Sequence, residues 1–211
     1  FLVLYSSSGY TSEEFEEIIV TGSHIKISDE QSSPVEIISS KDLDNLNIYS
    51  IAEISKYISS SSGSHFQTNA MDGVDQGMSS ITLRGLDHAS TLLLINSRRH
   101  TFSGTPSHEG EGYIDANIIP ENAVKRIEIL KEGGTSLYGS DAVSGVINFI
   151  TQKDFEGIEI KLGSQSTDNY NQDDQTLGVL IGKKFNFSHI VIAANFLNRS
   201  SLSASEITDI A

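Results

Sequence analysis

A glycine-rich stretch from residue 133 to residue 145 has the spacing closest to that of a site for chemistry. Gly134 and Gly139 are separated by four residues, like the two glycines of a phosphate-binding P-loop. A P-loop continues with Lys and then Ser or Thr, whereas Ser140 and Asp141 follow here. Because the Lys is missing and a carboxylate would repel phosphate, the stretch predicts no nucleotide site.

The serines of the same stretch are the next candidates, as nucleophiles. A nucleophile elbow requires Gly-x-Ser-x-Gly at a strand-to-helix turn. Ser136, Ser140 and Ser144 all lie outside that frame. The sequence therefore predicts that this loop turns the chain, that there is no catalytic residue, and that the protein is not an enzyme.

Metal ligands are also poorly placed. The chain has six His and no Cys, so it has neither zinc–thiolate sites nor disulfides. No two histidines have the three- or four-residue separation that places two ligands on one helix face. We therefore expect no metal site and no cofactor. The histidines are His24, His65, His88, His100, His108 and His189.

Charge and hydropathy limit the partners. The formal net charge is −14, and only 14 of the 211 residues are Lys or Arg. We expect no nucleic-acid partner, because a phosphate backbone requires clustered cations. No apolar run reaches the roughly 18 residues that a transmembrane helix needs. Transmembrane β-strands are much shorter and alternate in polarity, so this observation does not exclude them.

Two short helices are predicted after a strand that begins at Pro34. Ser39 stands three residues before Asp42, and Ser50 three before Glu53. Both spacings match a capping box, in which the side chains satisfy the free backbone groups of the first helical turn. In the second helix the apolar residues share one face, which predicts that this helix packs against another element. These residues are Ile51, Ile54 and Ile58.

Three alternating strands are predicted after Lys153. Each has apolar residues on one side and small or polar residues on the other. Strands of about ten residues with this pattern are typical of a membrane β-barrel, and also of a soluble antiparallel sheet with one wet face. The apolar residues are Ile158, Ile160 and Leu162, then Leu177, Val179 and Ile181, then Ile190, Ile192, Ala194 and Phe196.

Five segments, taken in order, resemble the plug domain of TonB-dependent outer-membrane receptors. They are EEIIVTGSHI, PVEIISSKDLDNLNIYSIAEISKYI, SITLRGL, TLLLINSRRH and IIPENAVKRIEILKEGGTSLYGSDAVSGVINFITQK. The first resembles the segment that contains or adjoins the TonB box, and the last resembles the most recognisable part of the plug. Together they lie between residues 16 and 153.

The resemblance implies a domain organisation and a fold class. Residues 1–15 are a leader or signal-peptide remnant, and residues 16–153 are an α+β plug domain with a small mixed sheet and short helices. Residues 154–211 are the first antiparallel strands of an incomplete membrane β-barrel. We expect the chain to be a fragment or a truncated product, because the family's barrel has 22 strands.

The resemblance also implies a function and partners. The family imports scarce nutrients, such as siderophores, vitamins, sugars or peptides, across the outer membrane of Gram-negative bacteria. Its plug fills the barrel lumen with the N-terminus towards the periplasm, and the protein TonB supplies energy. The implied partners are TonB, a small-molecule or metal-chelate ligand, and outer-membrane lipid. The alternative is a soluble periplasmic binding module built on an antiparallel sheet.

Site residues follow from the same resemblance. The predicted TonB contacts are Glu17, Ile18, Ile19, Val20 and Thr21. The predicted ligand contacts, in two irregular segments, are His65, Phe66, Gln67, Asn69, Arg99, His100, Phe102, His108 and Tyr113. The predicted structural residues are Arg84 and Arg126, expected to pair with acidic groups, together with Gly133, Gly134, Tyr138, Gly139 and Gly145, expected in tight turns and packing.

The sequence departs from the family pattern at two places within the plug. Ser97 occupies a turn position where the family usually has Gly, at little cost if its φ is negative. The segment YISSSSGSHF replaces the common Pro-Gly-Val after the second helix. We expect the loop that follows to differ in shape.

Overall fold

The computed structural model of the chain describes residues 21, 35–48, 50–64, 77–107, 110–131, 134–166 and 173–200. Its helices are short: α1 is Ser40–Asn45 and α2 is Thr135–Tyr138. Short 3₁₀ segments lie at Ile51–Lys56, which has two turns, and at His88–Ser90, Ala116–Ile118, Glu121–Ala123 and Ser140–Ala142, which have one turn each. The strands are β1 Val35–Ser39, β2 Thr91–Ile95, β3 Arg98–Arg99, β4 Val124–Leu130, β5 Gly145–Thr151, β6 Gly157–Ser166, β7 Asp173–Lys184 and β8 His189–Arg199.

The first five strands form one mixed sheet in the order β1-β4-β5-β2-β3. The β2–β5 pair is parallel and the other pairs are antiparallel. The remaining strands form a separate antiparallel sheet in the order β6-β7-β8. The predicted fold class, a small mixed sheet with short helices followed by antiparallel strands, is confirmed.

The main core lies on one face of the five-stranded sheet. Ile127 and Ile129 of β4 and Phe149 of β5 are fully buried there, against Ile51 and Ile54 of the first 3₁₀ segment. Burying each such side chain contributes roughly 1.5–3 kcal/mol. The predicted packing of the second helix is therefore confirmed, and it fixes one face of the sheet.

The two predicted capping boxes have different outcomes. At Ser39 the box is complete: its hydroxyl accepts from the Asp42 N–H, and the Asp42 carboxylate accepts from the Ser39 N–H. At Ser50 the prediction is wrong, because the hydroxyl makes no cap hydrogen bond and the segment is a 3₁₀ helix. The Ser50 hydroxyl instead donates to Asn117 Oδ1 at 3.1 Å, so a tertiary contact has replaced the local one.

The three-stranded sheet has one exposed apolar face, as its alternation predicts. The register places Ile158 opposite Ile181, and Ile181 opposite Ile192, so the apolar sides of all three strands coincide. Ile158 is 71% exposed and Leu162 is 80% exposed. The other face, with buried Leu180, lies against the five-stranded unit.

Among the described residues, no helix has both the length and the apolar character required to cross a membrane.

Candidate functional site

A buried polar cluster lies on the face of the five-stranded sheet opposite the main core. It consists of Thr21, Arg126, Glu128 and Asn148, which are between 0% and 8% exposed. Alternation along β4 directs Ile127 and Ile129 into the main core, so the side chains of Arg126 and Glu128 lie on the other face. Asn148 of β5 is the direct register partner of Glu128.

The Glu128 carboxylate is the centre of this cluster. Its Oε1 accepts from Arg126 Nε at 2.9 Å and Nη2 at 2.8 Å. Its Oε2 accepts from the Thr21 backbone N–H at 3.0 Å and from the Thr21 hydroxyl at 2.5 Å. Asn148 Nδ2 reaches the same oxygen at 3.4 Å. A buried charge requires such pairing, because an unpaired one would cost several kcal/mol.

Asn148 connects this cluster to the turn between β2 and β3. Its Oδ1 accepts from the Ser97 N–H at 2.9 Å, and its Nδ2 donates to the Ser97 hydroxyl at 3.1 Å. Asn96 and Ser97 have φ of +50° and +63°, as in the two-residue turns that suit a β-hairpin. We expect Ser to replace Gly at position 97 at little cost if the φ of Ser97 is negative. Its φ is positive, so that condition is not met. The Asn148 side chain holds this strained residue in place.

The glycine-rich loop has packing roles in the structure. Gly139 has a φ of +84° and ends α2. Gly145 has a φ of +145°, and a Cβ there would lie 2.5 Å from the Leu130 carbonyl oxygen. Gly134 is buried close to Ala142. Gly133 lies outside the described residues.

Side chains of the loop are engaged within the protein. Ser144 is fully buried and its hydroxyl donates to the Ser90 carbonyl at 2.8 Å, so it is not presented as a nucleophile. Asp141 forms an ion pair with Arg99, which also donates to the Tyr138 carbonyl. The Tyr138 side chain is partly buried against a small apolar cluster.

The predicted ligand residues are only partly visible. Arg99 is half-exposed and tied to the glycine-rich loop, whereas His100 and Phe102 are exposed. Tyr113 is only 7% exposed, so it has little surface for a ligand. His65, Phe66, Gln67, Asn69 and His108 lie outside the described residues.

The predicted TonB segment and the two structural arginines are placed as follows. Glu17, Ile18, Ile19 and Val20 lie outside the described residues, whereas Thr21 belongs to the buried cluster. Arg126 pairs with an acidic residue of its own sheet, Glu128. Arg84 is exposed in a tight turn with a φ of +61°.

A polar contact, here called the seam, joins the three-stranded sheet to α1 and to the 3₁₀ segment Glu121–Ala123. Lys161 of β6 donates to Asp44 Oδ1 of α1 at 2.5 Å and to Glu121 Oε1 at 3.2 Å. Burial raises the pKa of Glu121, and the nearby Lys161 ammonium opposes that rise. The seam therefore depends on Lys161 to keep a buried carboxylate charged.

One strand glycine, Gly178, allows close contact between the three-stranded sheet and Asn122 at this seam. Asn122 donates through Nδ2 to the Ala194 carbonyl of β8 at 3.4 Å. A Cβ at Gly178 of β7 would lie 3.3 Å from that same Nδ2. Gly178 thus leaves space for the Asn122 side chain on the inner face of the three-stranded sheet.

Several of these residues were missed by sequence reasoning. Glu128 and Asn148 each lie between two large apolar residues of their strands, which is a readable signal of a buried polar partner. Lys161 and Asn122 had no local signal, because their partners are distant in sequence. Within the described ranges, no three His, Asp or Glu side chains converge as a metal site would require.

The family model that matches this chain is described as the TonB-dependent Receptor Plug Domain, and it matches residues 28–146. A curated relative, the "Iron-regulated outer membrane virulence protein" of Vibrio cholerae serotype O1, is 41% identical over 75 residues. That alignment covers 35% of this chain and 12% of the relative.

Solved structures share the fold. The unliganded ferric citrate transporter FecA matches with a TM-score of 0.64 and 18% identity, over 81% of this chain and 26% of FecA. The siderophore receptor PirA from Acinetobacter baumannii matches with a TM-score of 0.57 and 24% identity, over 79% of this chain and 25% of PirA. A mutant of the ferric enterobactin receptor PfeA from Pseudomonas aeruginosa, in complex with enterobactin, matches with a TM-score of 0.56 and 21% identity. This match covers 82% of this chain and 26% of PfeA.

The solved relatives are titled as two receptors and a transporter, and the chain covers about a quarter of their length and 12% of the curated relative. The family model covers more than half of this chain, including β1 to β4 with Arg126 and Glu128 of the buried polar cluster. The chain therefore belongs to the TonB-dependent receptor plug-domain family.

Proposed function

We propose that this chain supplies the plug and the first barrel strands of an outer-membrane receptor that imports a ferric siderophore, driven by TonB. One observation carries the proposal: the three-stranded sheet has its apolar face outward, and its other face, which carries glycines, polar residues and the buried Leu180, lies against the plug. This arrangement suits a wall between lipid and a filled lumen. Residues 16–153 are the proposed plug and residues 154–211 the proposed wall.

The apolar face is the proposed lipid contact. Eight large apolar side chains on this face are more than a third exposed in the described sheet, which is typical of strands that meet hydrocarbon and atypical of a water-facing surface. Phe185 and Phe187 lie in the short β7–β8 turn, where aromatic residues suit a membrane interface. We therefore place the protein in the outer membrane of a Gram-negative bacterium, with the plug inside the lumen.

An iron chelate is the proposed substrate class. The curated relative is named as iron-regulated, and two of the solved relatives are titled as siderophore or ferric enterobactin receptors. The proposed contacts are the predicted residues of the segments 65–79 and 99–113 except Tyr113, which is only 7% exposed. Within these segments, Phe102 is an exposed aromatic ring, and the half-exposed Arg99, which is ion-paired with Asp141, would have to exchange that partner for an anionic chelate.

TonB is the proposed partner of the segment from Glu17 to Thr21. A short β-prone segment can add as an edge strand to a partner sheet, through main-chain hydrogen bonds. In the proposed orientation this segment faces the periplasm.

Uptake in cells tests the proposal. The complete reading frame is expressed in a Gram-negative strain that lacks its own siderophore receptors, and uptake of iron-labelled ferric siderophores is measured with and without TonB. We expect uptake of at least one siderophore that disappears when TonB is deleted. Recovery of the protein only in the soluble periplasmic fraction, without uptake, would support the binding-module alternative and overturn the proposal.

A further inference from the structure

We propose that the border of the apolar face at the β7–β8 turn binds a membrane phospholipid, with Lys183 contacting the lipid phosphate and the Phe185 ring holding the Lys183 ammonium. The inference rests on the proposed function and deepens one part of it, the contact with lipid. It names the side chain that meets the lipid headgroup and the class of headgroup that this side chain selects.

Lys183 lies on the outward side of the three-stranded sheet. It follows Ile181 by two residues in β7, and its register partner in β8 is Ile190. Both isoleucines belong to the apolar face, where they are 42% and 50% exposed. Because alternate residues of a strand share one face, the Lys183 side chain leaves the sheet on the side proposed to contact lipid.

The Phe185 ring holds the Lys183 ammonium at this border. Lys183 Nζ lies 5.4 Å from the centroid of the ring, which is within the range of a cation–π contact. An ammonium carries three N–H donors, so the contact with the ring leaves donors for an anion. Phe187, two residues further along the turn, is fully exposed. The border therefore combines a cation with two aromatic rings, as the junction between a headgroup and hydrocarbon requires.

The charge of Lys183 is not neutralised within the sheet. Lys131 and Lys161 are paired with carboxylates at 2.7 and 2.5 Å, whereas no carboxylate of the described residues forms an ion pair with Lys183. Glu156, which precedes β6 beside this border, lines a pocket with Lys125 instead. In a chain with a net charge of −14, an exposed and unneutralised cation at the edge of an apolar face suits a phosphate.

The opposite border of the apolar face has a different chemistry. There Gln175 of β7 lies between Ser164 of β6 and Asn198 of β8, and all three are exposed and neutral. Gln175 and Lys183 are eight positions apart, or about 27 Å along the strand, comparable to the roughly 25 Å apolar band of a transmembrane barrel. Of these two borders, the one at Lys183 has the charge that suits a phosphate.

The position of this border in the proposed orientation identifies the lipid. The β7–β8 turn lies between Lys184 and His189 and has four residues, and short turns of transmembrane barrels are periplasmic. The periplasmic leaflet of an outer membrane consists of phospholipid. The occupant is therefore a phospholipid, with its phosphate at Lys183 and its acyl chains along Ile181 and Ile190.

The test measures whether the receptor prefers an anionic phospholipid beside Lys183. The complete receptor, without other cysteines, carries a fluorescent label on Ile158→Cys, opposite Ile181, so that Lys183 and Phe185 stay in place. It is reconstituted in vesicles of phosphatidylcholine and phosphatidylglycerol, one of which has brominated acyl chains. Bromine quenches the label only at close contact. Exchanging the brominated lipid therefore gives the relative affinity of the two lipids for this part of the surface.

Three variants decide which charge matters. Lys183→Met removes the cation and Lys183→Arg keeps it. Lys184→Met is the matched control, because Lys184 is the adjacent exposed lysine on the other face, where its register partner His189 contacts the Phe155 carbonyl oxygen.

We expect the wild type, Lys183→Arg and Lys184→Met to prefer phosphatidylglycerol about fivefold, the ratio for one lysine at an anionic surface. In Lys183→Met the preference should disappear.

Equal preference in the wild type and Lys183→Met would overturn the inference. Equal loss of preference in Lys184→Met would also overturn it, because the effect would then report only the total charge near the turn. Absence of quenching by either lipid would overturn both this inference and the lipid contact of the proposed function. If iron uptake fails while the preference is present, the proposed import fails and the phospholipid site remains.

Discussion

The two sheets of this protein differ in where their apolar residues lie. The five-stranded sheet buries its apolar residues in a core and keeps a polar cluster, around Glu128, hidden on its other face. The three-stranded sheet exposes an apolar face, and it directs a mixed face of small, polar and a few apolar residues, including the buried Leu180, towards the plug. Apolar and polar residues that alternate with a period of two along a strand produce both arrangements. The sequence pattern alone therefore indicates only that the two faces of a sheet differ in polarity. The surroundings decide which face is buried.

The contrast also separates two kinds of polar contact. In the cluster, Arg126 and Glu128 are within one sheet and almost fully buried. In the seam, Lys161 of the three-stranded sheet contacts Asp44 of α1 and Glu121, and its side chain is 34% exposed. Because solvent screens the second kind more strongly, we expect the seam to contribute less to stability than the cluster.

The largest predicted effect is at Gly145, where the five-stranded sheet tolerates no side chain. Gly145→Ala should lower the free energy of unfolding of the plug by about 4 kcal/mol, from strain at positive φ and overlap with the Leu130 carbonyl. Denaturant titration of the receptor in detergent measures this. Gly104→Ala, where no atom lies within 4 Å of the added Cβ, should change nothing. Equal effects of the two substitutions would contradict the packing described.

The second-largest predicted effect is that of a charge on the exposed apolar face of the three-stranded sheet. Ile160→Lys places a charge in the middle of the apolar face, and we expect it to lower folding stability in a bilayer by about 3 kcal/mol. Folding into lipid vesicles under denaturant measures this. Ser164→Lys, towards the polar end of the same strand face, should cost less than about 1 kcal/mol. A water-facing sheet would tolerate both equally.

A smaller effect is expected at the seam. Lys161→Met leaves Glu121 without its cation, and we expect a loss of about 1–2 kcal/mol after allowance for solvent screening. In a Glu121→Gln background the same change should cost less, because no buried carboxylate remains to be neutralised. A double-mutant cycle in detergent measures the coupling. Additive losses would show that Lys161 acts through Asp44 or through packing alone.

The smallest effect is a pH dependence at the cap of α1. Hydrogen bonds from the Ser39 hydroxyl and backbone N–H hold the pKa of Asp42 below its usual range. The cap therefore contributes stability above the unfolded-state pKa, and this is lost as pH falls through the lower folded-state pKa. Asp42→Asn should be less stable than the wild type at neutral pH, with the difference shrinking under acid. A constant difference across that range would contradict the assignment.

Local features were predictable from the sequence, and contacts across the chain were not. The Ser39 cap and the alternation of β6 depend on residues within a few positions of each other. The Thr21–Glu128 contact depends on the fold, which brings together residues 107 positions apart. The failed cap at Ser50 has the same cause, since its hydroxyl bonds to Asn117, 67 positions away.

The candidate ligand site was the least predictable part. Order along the chain indicated two irregular segments, but it could not indicate which side chains the packing leaves open. Tyr113 is only 7% exposed, whereas Phe102 is 56% exposed. An aromatic residue in a loop has the same appearance in sequence whether it binds a ligand or fills a gap.

The central claim, that the three-stranded sheet is a wall with lipid outside and plug inside, can be measured along β6. The chain has no Cys, so single cysteines can be introduced without background at five successive positions, 158 to 162, of the receptor in lipid vesicles. Spin labels there report contact with oxygen, which concentrates in lipid, and with a water-soluble nickel complex. We predict that positions 158, 160 and 162 contact oxygen and exclude nickel, whereas 159 and 161 show little oxygen contact. Equal access of the nickel complex to positions 158, 160 and 162 would show that water covers this face and would contradict the account.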